Sequence, residues 1–236
     1  MQKTTKLARA IAEKVHDDPM VDAIASLGNY GTANYKAEDQ LHAWLRSAYG
    51  IELEPYPILV TVKSDQPEET STRLWLNTLP TFEIISAIYE CSPKVFAKCM
   101  VGPGGMDLIK KYWENAMRQP WGQQHPALKN GHPLEFMLPL QYHYDGAKVF
   151  NGVEYNISSV SSATTTGSSF DTKLPNCMLE SDLHYKSDTD REVIDYQAWC
   201  GEILADGHWP WVGYRGEPFA EGSYRYRKRG HPIAGP

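Results

Sequence analysis

The first half of the chain repeats apolar residues mainly at the three- and four-residue steps of amphipathic helices. This spacing predicts helical structure within residues 4–30 and a further helix within residues 36–49. The segment YPILVTVKS, residues 56–64, is rich in β-branched residues and bounded by prolines, which predicts a strand. Helical spacing returns in residues 79–100, with a break at the internal proline, and in residues 106–119.

The periodicity changes after a loop rich in proline and glycine, PWGQQHPALKNGHPL, at residues 120–134. The runs FMLPLQYHYDGAKVF and VEYNISSVSSA read as strands, and the Asn-Gly pair at 151–152 between them predicts a hairpin. A third extended segment is predicted at residues 173–185. A helix is predicted from about residue 188 to residue 206, where Gly207 ends it. The chain is therefore predicted to have an α+β fold.

The same loop divides the chain into two predicted regions. Residues 1–125 form a mostly helical N-terminal region, and residues 126–236 form a strand-rich region that also carries a basic C-terminal segment. The second region contains a loop dense in tryptophan and glycine, DGHWPWVGYRGEPF. Because tryptophan buries a large area, we expect this loop to pack against the helix that precedes it.

Composition narrows the class of protein. The chain has 236 residues, 42% of them hydrophobic and 22% charged, as in ordinary globular domains. Its formal net charge of −6 excludes a protein that is basic all over but leaves room for a local basic patch. No apolar run is long enough to predict a membrane span. The N-terminal residues lack the apolar core of a secretory signal, and the cysteines form no C-x-x-C pair, so we expect an intracellular protein.

The strand segment QYHYDGAKV contains one acid, Asp145. A carboxylate at a strand edge can bind a divalent cation if other elements supply further carboxylates. Asp171, Glu180 and Asp182 are the acids that we expect to approach it from adjacent strands. The alternative is an aspartate that faces solvent or forms an Asp-Gly turn.

A second interpretation combines Asp145 with histidines. His143 and Asp145 are two residues apart, so on a strand they project from the same face and can supply two ligands of a non-haem Fe²⁺ site. His208, or else His184, is the candidate third ligand, and Arg215 is the candidate partner for an oxo-acid cosubstrate. This hypothesis predicts an oxygenase with the triad His143, Asp145 and His208.

The segment GSYRYRKRGHP, residues 222–232, concentrates positive charge in an acidic protein. Cations neutralise phosphates and tyrosines stack on bases, which favours DNA as a partner and, with it, the nucleus as the compartment. A solvated segment or a protein contact is the alternative. The predicted nucleic-acid-binding residues are Tyr224, Arg225, Tyr226, Arg227, Lys228 and Arg229.

Three stretches together resemble a family of transposon-derived proteins with an RNase H-like transposase core, multiplied in dinoflagellate genomes. DPMVDAIASLGNYGTANYKAEDQLHAWL is similar to the family's helical region. LPLQYHYDGAKV is similar to its PLxxHGDGxxV strand, and the Ser-rich run NISSVSSATTTG follows as in the family. AWCGEILADGHWPWVGYRGEPFAEGSYRYRKRGHPIAG is similar to its glycine-rich C-terminal segment. The resemblance covers most of the chain.

The resemblance implies that residues 126–236 form an incomplete RNase H-like β-β-β-α unit. It implies that Asp145 is the first metal-binding acid of that core, a ligand of Mg²⁺ or Mn²⁺. Two departures matter: Tyr144 replaces the first glycine of the HGDG motif, and the sequence reaches IAGP, residues 233–236, before the family's second acid. A two-metal site needs at least two converging carboxylates, so this chain is expected to bind the ion weakly and to be catalytically incomplete.

These observations lead to three hypotheses. The first is a transposase-derived nucleic-acid-binding or structural module; a longer form would be a metal-dependent transposase that cleaves DNA or transfers strands. The second is a non-enzymatic subunit of a larger protein assembly, joined through an open sheet edge where the fourth core strand would lie. The third is the Fe²⁺ oxygenase.

Overall fold

The structure is a computed structural model, and the described strands and helices from residue 56 onward lie in one compact unit, residues 54–236. The helices predicted in residues 4–30 and 36–49 lie outside the described residues, except for residues 46–47, which are helical. The described ranges are residues 46–47, 50–66, 69–129, 131–150, 152–168 and 172–234.

Five antiparallel strands form one sheet in the order β1-β2-β5-β4-β3. The strands are β1 (Tyr56–Lys63), β2 (Ser71–Thr78), β3 (Leu140–Phe150), β4 (Val153–Ser162) and β5 (Leu174–Glu180). The strand predicted at residues 56–64, the hairpin around 151–152 and the third extended segment are confirmed. β2 was not predicted.

Seven α-helices have bounds within the described ranges. They are α1 (Thr81–Cys91), α2 (Pro93–Phe96), α3 (Gly105–Ala116), α4 (Pro120–Gln123), α5 (Pro126–Lys129), α6 (Lys186–Asp206) and α7 (Tyr224–Lys228). Shorter turns are a π-helix at Ala97–Val101 and 3-10 helices at Leu134–Phe136 and Ser181–Leu183. The long predicted helix is confirmed as α6, which ends at Gly207 in the left-handed conformation (φ 80°).

One face of the sheet, called the core face below, packs against α1 and α6. Its buried side chains come from four strands and include Ile58, Val60, Val62, Leu76 and Leu179. They meet aromatic side chains of the helices and of the C-terminal loop, namely Phe82, Tyr196, Trp199 and Trp209. Since apolar burial is the main favourable term in folding, this aromatic layer is the principal source of stability.

The fold is α+β, as predicted. The boundary predicted between residues 125 and 126 falls inside the compact unit, because β1 and β2 join the same sheet as β3, β4 and β5. The loop rich in tryptophan and glycine packs against the preceding helix α6, as expected, through the ring of Tyr214, which contacts those of Tyr196 and Trp199. Trp209 is 1% exposed and contacts the rings of Phe82 and Tyr224 edge to face. Among the described helices, none has the length and apolar character needed to cross a bilayer.

Candidate functional site

Asp145 lies on the face of the sheet opposite to the core face, called the open face below. It pairs in register with Ile157, which in turn pairs with Met178, so the three side chains share this face. The open face also carries Trp75, whose side chain is 60% exposed, and Met178, which is 40% exposed. Asp145 is itself exposed, and no described residue forms a hydrogen bond or an ion pair with it.

The acids predicted to join Asp145 do not form a metal site with it in the described part of the chain. Glu180 is at the end of β5, and β4 separates β5 from β3. Asp182 lies in the 3-10 helix after β5, and Asp171 is outside the described residues. Within the described ranges, no group of three His, Cys, Asp or Glu side chains has the geometry to hold a metal ion.

The three predicted Fe²⁺ ligands therefore do not meet among the described residues. His143 Nε2 is 2.8 Å from Ser161 Oγ on the neighbouring strand. His208 lies just after α6, with Nδ1 3.1 Å from the carbonyl oxygen of Asp206. Its side chain lines a half-open cavity of about 650 Å³ instead. Arg215 donates a hydrogen bond to the carbonyl oxygen of Leu59 at 3.2 Å.

Residues 224–229 of the basic segment are fixed to α1 by two ion pairs, of which Arg225–Glu83 is buried and Lys228–Glu90 is half-buried. Arg225 donates two hydrogen bonds to the Glu83 carboxylate, Nε to Oε1 at 2.6 Å and Nη2 to Oε2 at 3.1 Å. Glu83 is 1% exposed, and the Arg225 guanidinium also lies over the ring of Tyr56 at 5.1 Å. Burial raises the pKa of Glu83 to about 7, and the guanidinium of Arg225 limits the rise.

A second pair of contacts fixes the same segment. Lys228 Nζ forms an ion pair with Glu90, which also accepts a hydrogen bond from Tyr224 Oη at 3.2 Å. The Tyr224 side chain is buried. Arg225, Lys228 and Tyr224, predicted to bind nucleic acid, thus hold the C-terminal segment on the fold.

The other members of the basic segment form a cation–aromatic surface. The guanidinium of Arg229 lies 3.6 Å from the ring centroid of Tyr226 and 5.6 Å from that of Trp211. Trp211 is 66% exposed. Arg227 is exposed and donates to the carbonyl oxygen of Gly222.

The edge of the sheet at β1 has three of its backbone groups bonded to side chains. The N–H of Thr61 donates to Glu192 on α6, and its carbonyl oxygen accepts from Thr189 Oγ1. The carbonyl oxygen of Leu59 accepts from Arg73 at 2.9 Å as well as from Arg215. This edge is therefore covered, as expected for a protein that prevents edge-to-edge association.

The opposite edge of the sheet, at β3, has outward backbone groups that no described residue bonds. β3 is 11 residues long and pairs only with β4 among the described residues. The Ala163 N–H donates to the Pro139 carbonyl oxygen at 2.7 Å, so these two residues form a hydrogen-bonded pair of the antiparallel ladder. Every second residue of β3 repeats this arrangement, so the backbone N–H groups of Gln141, His143 and Asp145 point toward β4. The N–H groups of the intervening residues then point outward. These residues are Tyr142, Tyr144 and Gly146.

Sequence reasoning placed His184 near Asp145, whereas the structure places it beside Tyr144 on the core face. His184 Nε2 is 2.6 Å from Tyr144 Oη and 3.3 Å from Asp190 Oδ1. The sequence offered one signal for this contact. Tyr144 alternates with His143 and Asp145, so it must project from the other face of β3.

Comparisons with known proteins assign no family: the chain matches no family model, and neither curated proteins nor solved structures give a significant match.

Proposed function

We propose that this chain is a transposase-derived structural module, a non-enzymatic subunit that joins a larger assembly by adding a partner's strand to the outer edge of β3. The observation that carries the proposal is the contrast between the two edges of one sheet. Side chains from α6, β2 and the C-terminal loop bond to three backbone groups of β1, the N–H and carbonyl oxygen of Thr61 and the carbonyl oxygen of Leu59. No described residue does so for β3. An edge of this length with unpaired backbone groups is a template for strand addition.

The RNase H-like origin is supported by topology. β3, β4 and β5 form an antiparallel meander, and the long helix α6 follows it, which is the β-β-β-α order implied by the resemblance. In that interpretation β3 is the first core strand, and a strand added at its outer edge occupies the place of the fourth. Asp145 would then be the first ligand for Mg²⁺ or Mn²⁺, and the added strand would supply the second carboxylate.

Amide hydrogen exchange tests strand addition residue by residue. In the isolated chain we expect fast exchange at Tyr142, Tyr144 and Gly146, whose N–H groups point outward, and protection at His143 and Asp145. In the chain recovered with its native partners, the outward amides should become protected. The inward amides serve as the internal control because the ladder with β4 protects them in both states.

Either of two results would contradict the proposal. Outward amides that are already protected in the isolated chain would mean that another part of the chain covers β3. Outward amides that still exchange rapidly in the assembled state would mean that the assembly forms elsewhere.

A second candidate function, single-stranded nucleic-acid binding, is favoured by the cation–aromatic surface of Trp211, Tyr226 and Arg229. An exposed indole beside a guanidinium offers a stacking platform and a phosphate contact at one place. Arg227 adds a further cation nearby.

The test is the affinity for a fluorescent single-stranded oligonucleotide, measured by anisotropy at two salt concentrations. We expect Trp211→Ala to weaken binding by about 1–3 kcal/mol, the value of one base–aromatic stack. Trp75→Ala is the matched control, since Trp75 is a similarly exposed tryptophan on the open face. An affinity independent of salt, or equal losses in both variants, would exclude this function.

A further inference from the structure

A tyrosine, a histidine and an aspartate from three different elements converge on the core face, away from Asp145. Tyr144 comes from β3, His184 follows the 3-10 helix after β5, and Asp190 lies in the first turns of α6. Tyr144 Oη and Asp190 Oδ1 lie 2.6 Å and 3.3 Å from the same atom, His184 Nε2. Their three potential ligand atoms are thus gathered in one small volume.

The strand register explains how Tyr144 reaches this point from the edge of the sheet. Tyr144 pairs with Ser158 on β4, and Ser158 pairs with Cys177 on β5, so two small residues lie along its row on the core face. A larger side chain at either position would occupy the path of the phenol. His184 is held from the other side, because it forms an isolated antiparallel bridge with Val62 of β1.

Hydrogen bonding within the cluster is incomplete. The Tyr144 phenol carries its own proton, which it can donate to His184 Nε2 or to Asp190, and His184 Nε2 carries at most one more. Asp190 Oδ1 is buried and has no hydrogen-bond partner among the described residues. This oxygen lies 3.3 Å from His184 Nε2 on a side chain that is 40% exposed, and a cation bound here would compensate its charge.

We propose that Tyr144, His184 and Asp190 form a three-ligand site for a transition-metal ion, with iron(III) as the ion that this donor set favours. Metal–nitrogen and metal–oxygen bonds of about 2.0–2.2 Å place neighbouring ligand atoms about 3 Å apart. The two separations from His184 Nε2, 2.6 Å to Tyr144 Oη and 3.3 Å to Asp190 Oδ1, bracket that value. An ion at the centre bonds to all three atoms and displaces the phenol proton to solvent.

The donor set selects the class of ion. Imidazole suits iron, copper and zinc, carboxylate suits harder ions, and phenolate is a ligand of iron in haem proteins such as catalase. The combination of phenolate, carboxylate and imidazole therefore favours iron(III) over the softer ions. Tyr144 is 44% exposed, so the remaining coordination positions face solvent and can take water or a small anion. This ligand set differs from the predicted triad of His143, Asp145 and His208.

The experiment titrates the full chain with ferric nitrilotriacetate and follows visible absorption. Phenolate bound to iron(III) gives a charge-transfer band in the visible range that neither the chelate nor the protein has alone. We expect this band to saturate at one iron per chain. Tyr144→Phe should abolish the band, while His184→Gln and Asp190→Asn should each weaken iron binding at least tenfold, as measured by competition with the chelator.

Two control variants distinguish this site from iron bound elsewhere on the chain. Tyr142→Phe removes a phenol from the same face of β3, two residues away, and Asp145→Asn removes the acid on the open face; both should retain the band. Circular dichroism of each variant reports whether it folds. The absence of a band in the wild type, or a band of equal intensity in folded Tyr144→Phe, would overturn the proposal. Neither result depends on strand addition at β3.

Discussion

Arg225→Ala is expected to lower the free energy of unfolding by about 3–5 kcal/mol, the cost of removing one partner of a buried ion pair. Glu83 is 1% exposed, and Arg225 supplies both hydrogen bonds that its carboxylate receives from a cationic side chain. Without the guanidinium, Glu83 stays buried as an uncompensated charge or must bind a proton. Denaturant unfolding followed by tryptophan fluorescence measures the change.

Arg227→Ala is the matched control because it removes the same side chain from an exposed position two residues along α7. We expect it to change the free energy of unfolding by less than about 0.5 kcal/mol. Similar losses in the two variants would mean that the Arg225 pair does not stabilise the fold. A loss of unfolding free energy in Arg225→Ala alone would show that Arg225 stabilises the fold rather than belonging to a phosphate-binding surface.

The decrease in unfolding free energy caused by Arg225→Ala should also depend on pH. The direction of this dependence follows from the pKa of Glu83. Burial raises that pKa from 4.5 to about 7, so the stability contributed by this group falls as the pH rises through this interval. Above about 7 the carboxylate is charged and needs Arg225; below it the folded state holds a neutral acid. The difference between wild type and Arg225→Ala should therefore be larger at pH 8 than at pH 5. An equal difference at both values would contradict this account.

Periodicity predicted most of the described strands because each one combines β-branched or aromatic residues with a turn signal. β1 and the β3–β4 hairpin are examples, and the helix α6, which ends at Gly207, was predicted for similar reasons. β2, STRLWLNT, was missed although Leu74 and Leu76 alternate with Arg73 and Trp75. Its polar residues dominate the composition, and its pairing with β5 involves a single register pair, Thr78 with Cys177.

The candidate sites were less predictable, since they depend on contacts between distant parts of the chain. Glu83 and Arg225 are 142 positions apart, and nothing local marks them as partners. One signal was present: Glu83 interrupts the apolar run of α1 on the face that the helix buries. The basic segment was read as a nucleic-acid surface because sequence shows the charge of Arg225 and Lys228 but not the carboxylates that compensate it.

The exposure of Asp145 could not be decided from its neighbours in sequence either. The alternation of residues in a predicted strand indicates which side chains share a face. It does not indicate which other elements of the fold pack on that face. The same limit applies to the edge of β3. Hairpin periodicity predicts that β3 and β4 pair, and it contains no information on whether a further strand lies on the other side.

Gly146→Pro is expected to reduce the recovery of partner proteins by the tagged chain from its native cells by roughly 5- to 150-fold. The outward N–H of Gly146 is one of the donors that an added strand would use, and proline lacks it. The partner's carbonyl oxygen would be buried without a donor at a cost of about 1–3 kcal/mol, which corresponds to this range. Quantitative mass spectrometry of the recovered proteins gives the ratio.

Gly146→Ala is the matched control, because it introduces the same Cβ atom but keeps the N–H group. That Cβ lies 2.9 Å from Oε1 of Glu154, the flexible end of a side chain that can move aside, so both variants have the same local contact. Proline at this position leaves the ladder with β4 intact, since the inward-pointing donors are on Asp145 and His143. A reduction seen only with proline therefore reports the outward hydrogen bond and the access of a strand to the edge. If alanine and proline reduce recovery equally, or if neither does, the partner binds at another surface and the edge of β3 has no role in assembly.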